Sequence, residues 1–253
     1  MNLLEVKDLA QHFGGLKAID QIDLSISEGE IISVIGPNGA GKTTLFNVMT
    51  GVYSGTRGSI SFQGRPIRGL PSYKITALGI ARTFQNIRLF SNMTALENVM
   101  VARHCRSSSR LIGPLLRLPA YKAEESAIEA AAKEVMSFTG ILSCGNDIAR
   151  NLSYGNQRRL EIARALATEP KLLILDEPTA GMNPTESQEL VELVRRIKKR
   201  GITVLLIEHQ MRVVMDISER VVVLDYGVKI AEGTPQEVVR DARVIEAYLG
   251  KGG

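Results

Sequence analysis

Long apolar runs are missing from this sequence of 253 residues. No stretch approaches the roughly 18 apolar residues that a membrane-spanning helix needs. Residues 1–5 carry neither a basic region nor a long apolar core, so we expect no signal peptide. Cysteine is scarce too: Cys105 and Cys144 match neither a disulfide framework nor a metal-ligand spacing. We therefore expect two incidental thiols in a reducing cytoplasm.

A strong excess of charge of one sign is also absent. The formal net charge is +4, with 44% hydrophobic and 23% charged residues, which is ordinary globular chemistry for one large domain or a domain with a subdomain. The mild basic surplus is compatible with a nucleic-acid or anionic lipid surface. We favour a surplus scattered over the surface and predict no nucleic-acid partner.

What the sequence does contain is a glycine-rich loop between an apolar run and a helical pattern. Residues 36–44 read Gly-Pro-Asn-Gly-Ala-Gly-Lys-Thr-Thr, the G-x-x-x-x-G-K-T spacing of a phosphate-binding loop. The run 31–35 predicts a buried strand before it, and residues 45–49 predict a helix after it. Glycines let backbone N–H groups point inward at the positive end of that helix. The chain is therefore predicted to bind a nucleoside triphosphate.

Individual roles follow from this spacing. Lys42 is expected to reach the β- and γ-phosphates, and the Thr43 hydroxyl is expected to ligate Mg²⁺. Phe13, which lies beside two glycines, is a candidate for an exposed ring that stacks on the base. The alternative is that Phe13 is a core aromatic at a hairpin. The predicted nucleotide contacts of the loop are Gly36, Asn38, Gly39, Ala40, Gly41, Lys42, Thr43 and Thr44.

Two strand patterns predict two β layers. Residues 4–9 and 22–26 alternate between apolar and polar side chains, which is typical of a half-buried antiparallel layer. The runs 31–35, 171–175 and 202–207 are continuously apolar and are joined by helical stretches, so they predict a mostly parallel sheet covered on both faces. The fold class is therefore α/β.

A helical insertion interrupts this pattern. Thr94 and Glu97 form a capping box, and an alanine-rich stretch from Tyr121 places its apolar residues on one face. Residues 104–120 between them are irregular and basic, and they serve either as a contact to lipid headgroups or a partner, or as a solvated surface. We predict a nucleotide-binding core of residues 1–84 and 161–253 around a helical subdomain of residues 85–160.

Polar groups that suit hydrolysis follow the apolar strands. Asp176 and Glu177 end one run and His209 follows another, so these side chains and the Gly36 loop are expected at one edge of the sheet. Asp176 would help to hold Mg²⁺, and Glu177 would orient or deprotonate a water molecule. His209 would bond the γ-phosphate, and the Gln85 amide would reach the metal and the water. The alternatives are a helix cap for the acids and satisfied core groups for the others.

The stretch Leu152–Gln157, Leu-Ser-Tyr-Gly-Asn-Gln, resembles the signature sequence of ATP-binding cassette (ABC) ATPases. The phosphate-binding loop, Gln85, Asp176, Glu177 and His209 also follow in the order of that family, so the resemblance covers nearly the whole chain. It implies the P-loop NTPase fold of the family. It also implies a head-to-tail dimer, in which Ser153, Gly155 and Gln157 of one subunit close over the ATP that the other subunit holds. The ligands implied are ATP and Mg²⁺, and Phe13 falls where the family has an adenine-stacking aromatic.

Three positions depart from the family pattern. Tyr154 and Asn156 replace the commoner Gly and Gln of the signature, and Asn183 stands where an aspartate is usual. We expect these changes to tune the dimer interface and to leave ATP hydrolysis intact.

Within the family, several segments are similar to the ATPase subunit of branched-chain amino-acid importers: residues 13–16, 82–90, 93–94 and 97–104, the long basic insert, and residues 231–235 and 243–249. This similarity implies an ATPase docked on permease subunits at the cytoplasmic face of the membrane, with residues 86–104 receiving a permease helix. It implies a second ATPase subunit, identical or not, and an indirect link to a periplasmic binding protein. The alternatives are an amide or urea importer, a lipopolysaccharide exporter, or a soluble ABC ATPase without a transport role.

Overall fold

The computed structural model describes residues 2–106 and 119–249. The chain divides into two compact units, which we call the core unit (residues 1–82 and 171–253) and the helical unit (residues 83–170). The sequence places the second boundary after residue 160, whereas the helical unit continues to residue 170. The reason is that the helix after Ser153 runs to Ala167 and packs on other helices of the same unit.

The strands, in chain order, are β1 (Asn2–Phe13), β2 (Leu16–Ser27), β3 (Ile31–Ile35), β4 (Arg57–Phe62), β5 (Arg65–Pro66), β6 (Ile80–Arg82), β7 (Leu172–Asp176), β8 (Thr203–Ile207), β9 (Arg220–Asp225) and β10 (Val228–Gly233). The helices are α1 (Lys42–Met49), α2 (Ser72–Leu78), α3 (Ala95–Arg103), α4 (Pro119–Thr139), α5 (Tyr154–Ala167), α6 (Pro184–Lys199), α7 (Met211–Ile217), α8 (Pro235–Arg240) and α9 (Ala242–Leu249). Short 3-10 turns cover residues 104–106, 142–144 and 149–151.

The core unit contains both predicted β layers. One sheet is antiparallel, with strand order β2-β1-β4-β5. The other has the order β10-β9-β3-β8-β7-β6, and every neighbouring pair in it is parallel except β9 with β10. All residues of β3, β7 and β8 are buried, as expected for strands that are covered on both faces. The predicted α/β fold class, with a mostly parallel sheet and an antiparallel layer, is confirmed.

Helix α1 anchors the end of the glycine-rich loop in the main core. Its Leu45 and Phe46 side chains are fully buried in a cluster that includes residues of both sheets, such as Leu4 and Ile32. Burying a side chain of this size stabilises the fold by about 1.5–3 kcal/mol. The helix start, and with it the loop before it, is therefore held in place by apolar packing.

The helical unit has its own core, formed where α3, α4 and α5 pack together. The predicted apolar face of α4 is buried there through Ala132 and Met136, which contact the cluster containing Val99 of α3 and Leu160 of α5. Within the part of the chain that the structure describes, no helix is long and apolar enough to cross a membrane. Residues 107–118, which hold most of the basic segment, lie outside the described residues.

The capping box at Thr94 generates a stability prediction. The Thr94 hydroxyl accepts a hydrogen bond from the Glu97 N–H (3.1 Å), and the Glu97 carboxylate accepts one from the Thr94 N–H (2.7 Å). We expect Thr94→Ala to lower the free energy of unfolding by about 1 kcal/mol in a urea titration, because the first turn of α3 loses its cap. Thr94→Ser keeps the hydroxyl and should retain most of the stability. An equal loss in both variants would contradict the capping account.

Candidate active site

Three loops of the core unit emerge at the same edge of the parallel sheet. Strand β8 lies between β3 and β7, and the parallel pairing sets Ile207 beside Val34 on one side and beside Asp176 on the other. The glycine-rich loop after β3, the segment 176–177 and the segment 208–209 therefore all start at the carboxyl ends of adjacent strands. This is where ligands bind in sheets of this kind.

Two glycines let the loop pass close to neighbouring backbone. Gly36 has a φ of 150°, and a side chain there would place its Cβ 2.1 Å from the Leu224 carbonyl oxygen. Gly41 has a φ of 95°, and its Cβ would lie 2.6 Å from the Ala18 carbonyl oxygen. The loop is thus enclosed by backbone of β9 on one side and of β2 on the other. Only glycine fits at either position without displacing those strands.

Lys42 turns its ammonium group onto the loop itself. Its Nζ donates hydrogen bonds to the carbonyl oxygens of Gly36 (2.6 Å) and Pro37 (2.9 Å). Burial lowers the pKa of Lys42, while the negative charges of Glu177 and Asp176 act to raise it. The lysine therefore lies within range of the charges of the two carboxylates that the sequence predicts to act beside it. Thr43 is exposed and Thr44 is half-buried at the start of α1.

Asp176 is held by a buried arginine that the sequence did not single out. The Arg82 guanidinium donates a hydrogen bond to Asp176 Oδ2 (2.7 Å) and another to Asn47 Oδ1 (2.7 Å). The Arg82 and Asp176 side chains are 5% and 6% exposed, so the pair is nearly removed from water. The available signal was an arginine that ends a short apolar strand. Its partners are too distant in the chain for a local pattern to identify.

Glu177 occupies a strained backbone conformation beside His209. Its φ is 45°, a left-handed value that costs a residue other than glycine about 1–3 kcal/mol. Its N–H donates to the Ile207 carbonyl oxygen (2.9 Å), so the bend is fixed to β8. Glu177 Oε2 and His209 Nδ1 lie 3.7 Å apart. The structure thus brings Lys42, Asp176, Glu177 and His209 into one region of the core unit.

Phe13 is located at the end of β1, where two glycines form the hairpin turn. Its ring is 43% exposed and makes an edge-to-face contact with Tyr53, with the ring centroids 5.2 Å apart. An aromatic of a hairpin core would be buried, so this alternative does not fit. The exposed ring is available for stacking. Tyr53, which is not among the residues predicted from the sequence, packs edge-to-face against this ring.

Gln85 and the signature residues belong to the helical unit. Gln85 is exposed, and its carbonyl oxygen accepts a hydrogen bond from Arg158 of α5. The same guanidinium donates to the Phe84 carbonyl oxygen (2.7 Å) and forms an ion pair with Glu161. Arg158 is 2% exposed, so the segment that carries Gln85 is fastened to the helix that follows the signature sequence.

The signature residues form the start of α5. Ser153 is the N-cap, and its hydroxyl accepts a long hydrogen bond from the Asn156 N–H (3.4 Å). The Gln157 amide donates to the Leu152 carbonyl oxygen (2.9 Å), while Gly155 is half-buried. Ser153 is exposed at the positive end of a long helix, an arrangement that can receive a phosphate group.

Comparison with known proteins identifies relatives along the whole chain. Residues 19–180 match the family model described as ABC transporter, and residues 228–253 match the one described as branched-chain amino acid ATP-binding cassette transporter. The chain is 46% identical over 250 residues to the high-affinity branched-chain amino acid transport ATP-binding protein LivG of Salmonella typhimurium. That match covers 98% of each chain.

Solved structures agree with these matches. The chain superposes with a TM-score of 0.86 and 32% identity on the ADP conformation of an ATP-binding cassette of an ABC transporter, covering 99% of this chain and 100% of that one. A dimeric ATP-binding cassette in a post-hydrolysis state, bound to ADP and phosphate, gives a TM-score of 0.77 and 25% identity. This second match covers 92% of this chain and 98% of the other.

A side chain at Gly41 would destabilise the protein in two ways, through the left-handed backbone and through its contact with β2, and the two losses can be measured separately. Gly39 and Gly41 lie in the same loop with left-handed φ values of 81° and 95°, but a Cβ at Gly39 would meet nothing within 4 Å. Both Gly→Ala changes should lose about 1–2 kcal/mol of unfolding free energy from the backbone term. Gly41→Ala should lose about 1–3 kcal/mol more through its clash with β2. Urea unfolding of the nucleotide-free protein measures the difference, and equal losses would rule out the clash.

Proposed function

This chain belongs to the ABC transporter family, and on that premise we propose that it is the ATP-hydrolysing subunit of an importer of branched-chain amino acids. The observation that carries the proposal is the match from end to end with a curated branched-chain amino acid transport ATP-binding protein. The family model matched by residues 228–253 supports the same solute class over the amide, urea and lipopolysaccharide alternatives.

ATP would lie over the glycine-rich loop. The exposed ring of Phe13 would stack on the adenine, and backbone N–H groups of residues 36–44 would surround the phosphates. Lys42 would exchange its bonds to the Gly36 and Pro37 carbonyl oxygens for bonds to the β- and γ-phosphates.

The residues present fit a magnesium ion. The Thr43 hydroxyl and the Asp176 carboxylate supply the oxygen ligands that Mg²⁺ prefers, and the Gln85 amide oxygen is a further candidate of the same type. Among residues 2–106 and 119–249 no cluster of three or more His, Cys, Asp or Glu side chains could hold a metal. This agrees with an ion that takes most of its ligands from phosphates and water. When bound, Mg²⁺ neutralises part of the phosphate charge.

Hydrolysis would be carried out by Glu177 and His209. Water attacks the γ-phosphorus, the bond to the bridging β–γ oxygen breaks, and ADP leaves. Glu177 orients this water and accepts its proton, while His209 donates a hydrogen bond to the γ-phosphate. The strained φ at Glu177 and its bond to Ile207 hold the carboxylate at the strand end. The Gln85 amide is a further candidate to contact the water and the metal.

A second subunit, either identical or related, would complete the site. Ser153, Gly155 and Gln157 of that subunit would close over the γ-phosphate, where the exposed start of α5 offers N–H groups and a hydroxyl. The dimeric cassette bound to ADP and phosphate, which this chain resembles, supports such an assembly. Tyr154, Asn156 and Asn183 would then tune the interface between the subunits.

Transport would require membrane partners. We propose that the chain lies at the cytoplasmic face of the membrane and binds permease subunits. Residues 86–104 would receive a helix of the permease. Closure on two ATP molecules would drive the transport step, and hydrolysis would reset it. Solute recognition would reside in the permease and in a periplasmic binding protein.

Glu177→Gln tests the catalytic assignment. The amide keeps the shape of the side chain but cannot accept a proton, so the ATPase rate should fall by about 10²–10⁴-fold. ATP binding should persist, and gel filtration with ATP should show a stable dimer. Lys42→Ala is the contrasting variant, since it should lose ATP binding and therefore dimer formation. Unchanged turnover in Glu177→Gln would refute the assigned base.

The transport role is tested in membranes. The chain, expressed with permease subunits of a branched-chain amino-acid importer from the same organism, should co-purify with them from detergent-solubilised membranes. Vesicles that enclose ATP on the cytoplasmic side of the complex, with the periplasmic binding protein outside, should accumulate leucine, and vesicles with the Glu177→Gln complex should not. Recovery with only soluble partners would favour the soluble ATPase alternative, and uptake of urea but not leucine would exclude the proposed solute class.

A further inference from the structure

One buried carboxylate near the candidate active site has no role in the mechanism described so far. Glu208 lies between β8 and His209 and is 0% exposed. Across residues 2–106 and 119–249, no basic side chain forms an ion pair with it. A carboxylate in such a place is expensive to bury unless hydrogen bonds satisfy its oxygens. An apolar residue would simply extend β8, so the carboxylate needs a separate explanation.

The two oxygens of Glu208 hold two different segments. Oε1 accepts hydrogen bonds from the Thr179 hydroxyl (2.5 Å) and the Thr179 N–H (3.2 Å). Oε2 accepts hydrogen bonds from the N–H groups of His209 (3.2 Å) and Gln210 (3.4 Å). The carboxylate therefore connects the segment after β7 with the segment after β8.

The Thr179 side of this bridge is a fixed anchor. Thr179 is 1% exposed, and it lies in a turn closed by a hydrogen bond from the Ala180 N–H to the Glu177 carbonyl oxygen (3.1 Å). The same turn is attached to β8 through the Glu177 N–H and the Ile207 carbonyl oxygen. Thr179 thus cannot move without disturbing the strand end that carries Glu177.

The His209 side has little other support. The His209 side chain is 52% exposed, and its Nδ1 lies 3.7 Å from Glu177 Oε2, beyond hydrogen-bond length. Within the described ranges, 2–106 and 119–249, the bond from its N–H to Glu208 is the one hydrogen bond found for His209. The position of this histidine therefore depends on the buried carboxylate beside it.

We propose that Glu208 is a positioning residue that holds His209 at the correct place opposite Glu177, using Thr179 as its anchor. This inference rests on the proposed function, since it concerns the same hydrolysis reaction. The hydrogen bonds of Glu208 go to Thr179, His209 and Gln210, and none of them goes to the glycine-rich loop or to Glu177. Its loss should consequently slow the chemical step and leave ATP affinity nearly intact.

Glu208→Leu removes both acceptors at similar volume, and Glu208→Gln retains one carbonyl oxygen. We expect kcat for ATP hydrolysis to fall by about ten- to a hundredfold in Glu208→Leu, with KM within about twofold of the wild type. The kcat of Glu208→Gln should lie between those of Glu208→Leu and the wild type, because one acceptor remains. Should Glu208→Leu fail to fold, Glu208→Gln and Thr179→Val carry the test, because Thr179→Val removes only the anchoring hydroxyl. Thr179→Ser, which keeps that hydroxyl, should retain more activity than Thr179→Val.

The decisive measurement is a double-mutant cycle with His209→Ala. If Glu208 acts through His209, then adding Glu208→Leu to His209→Ala should change kcat by less than about twofold. A full additional loss would overturn the inference, as would wild-type kcat in Glu208→Leu or equal changes in kcat and KM. A wild-type protein that does not hydrolyse ATP would contradict the proposed function itself. An active wild type with an unaffected Glu208→Leu variant would contradict only the positioning role of Glu208.

Discussion

The register between β7 and β8 is the constraint on which the candidate site depends. Asp176 pairs with Ile207, and the Glu177 N–H donates to the Ile207 carbonyl oxygen. The two strands therefore end at the same level of the sheet. Side chains alternate along a strand, and a slip of one residue would move Asp176 to the opposite face of the sheet. That slip would break the bond from the Glu177 N–H to the Ile207 carbonyl oxygen and would separate the buried Asp176 carboxylate from Arg82. These two contacts thus hold the register that places the carboxylates.

Buried charge is the second feature of the site, and each charged group is satisfied in a different way. Asp176 is paired with Arg82, which Asn47 in turn orients. Lys42 is bonded to two carbonyl oxygens, and Glu208 takes hydrogen bonds from a hydroxyl and three N–H groups. A buried charge that loses its partner destabilises a protein far more than an exposed one. These networks therefore fix the orientation of Asp176, Lys42 and Glu208.

The sequence predicts the parts of this arrangement that depend on local pattern. Continuous apolar runs predicted β3, β7 and β8, and the capping box at Thr94 marked the start of α3. It did not predict helices α2 and α7, which are short and have no side-chain cap. The pairing of Arg82 with Asp176 and of Glu208 with Thr179 was also missed, since each joins residues that are distant in the chain and meet only through the sheet. Helix α5 runs beyond residue 160 and buries Ala163 and Ala167 in the core of the helical unit. The second boundary of that unit therefore lies later in the chain than the sequence predicted.

The state of Lys42 connects these features to nucleotide binding. Its ammonium group is held by carbonyl oxygens of its own loop, so the loop is closed on itself by charge-assisted hydrogen bonds. A phosphate group that bonded to Lys42 would compete with those bonds, and its negatively charged oxygens are stronger acceptors than neutral carbonyl oxygens. Asp176 is bound to Arg82. Burial lowers the pKa of Lys42, while the charges of Glu177 and Asp176 act to raise it. Lys42, Asp176 and Arg82 are thus linked through their charges at the carboxyl end of the sheet.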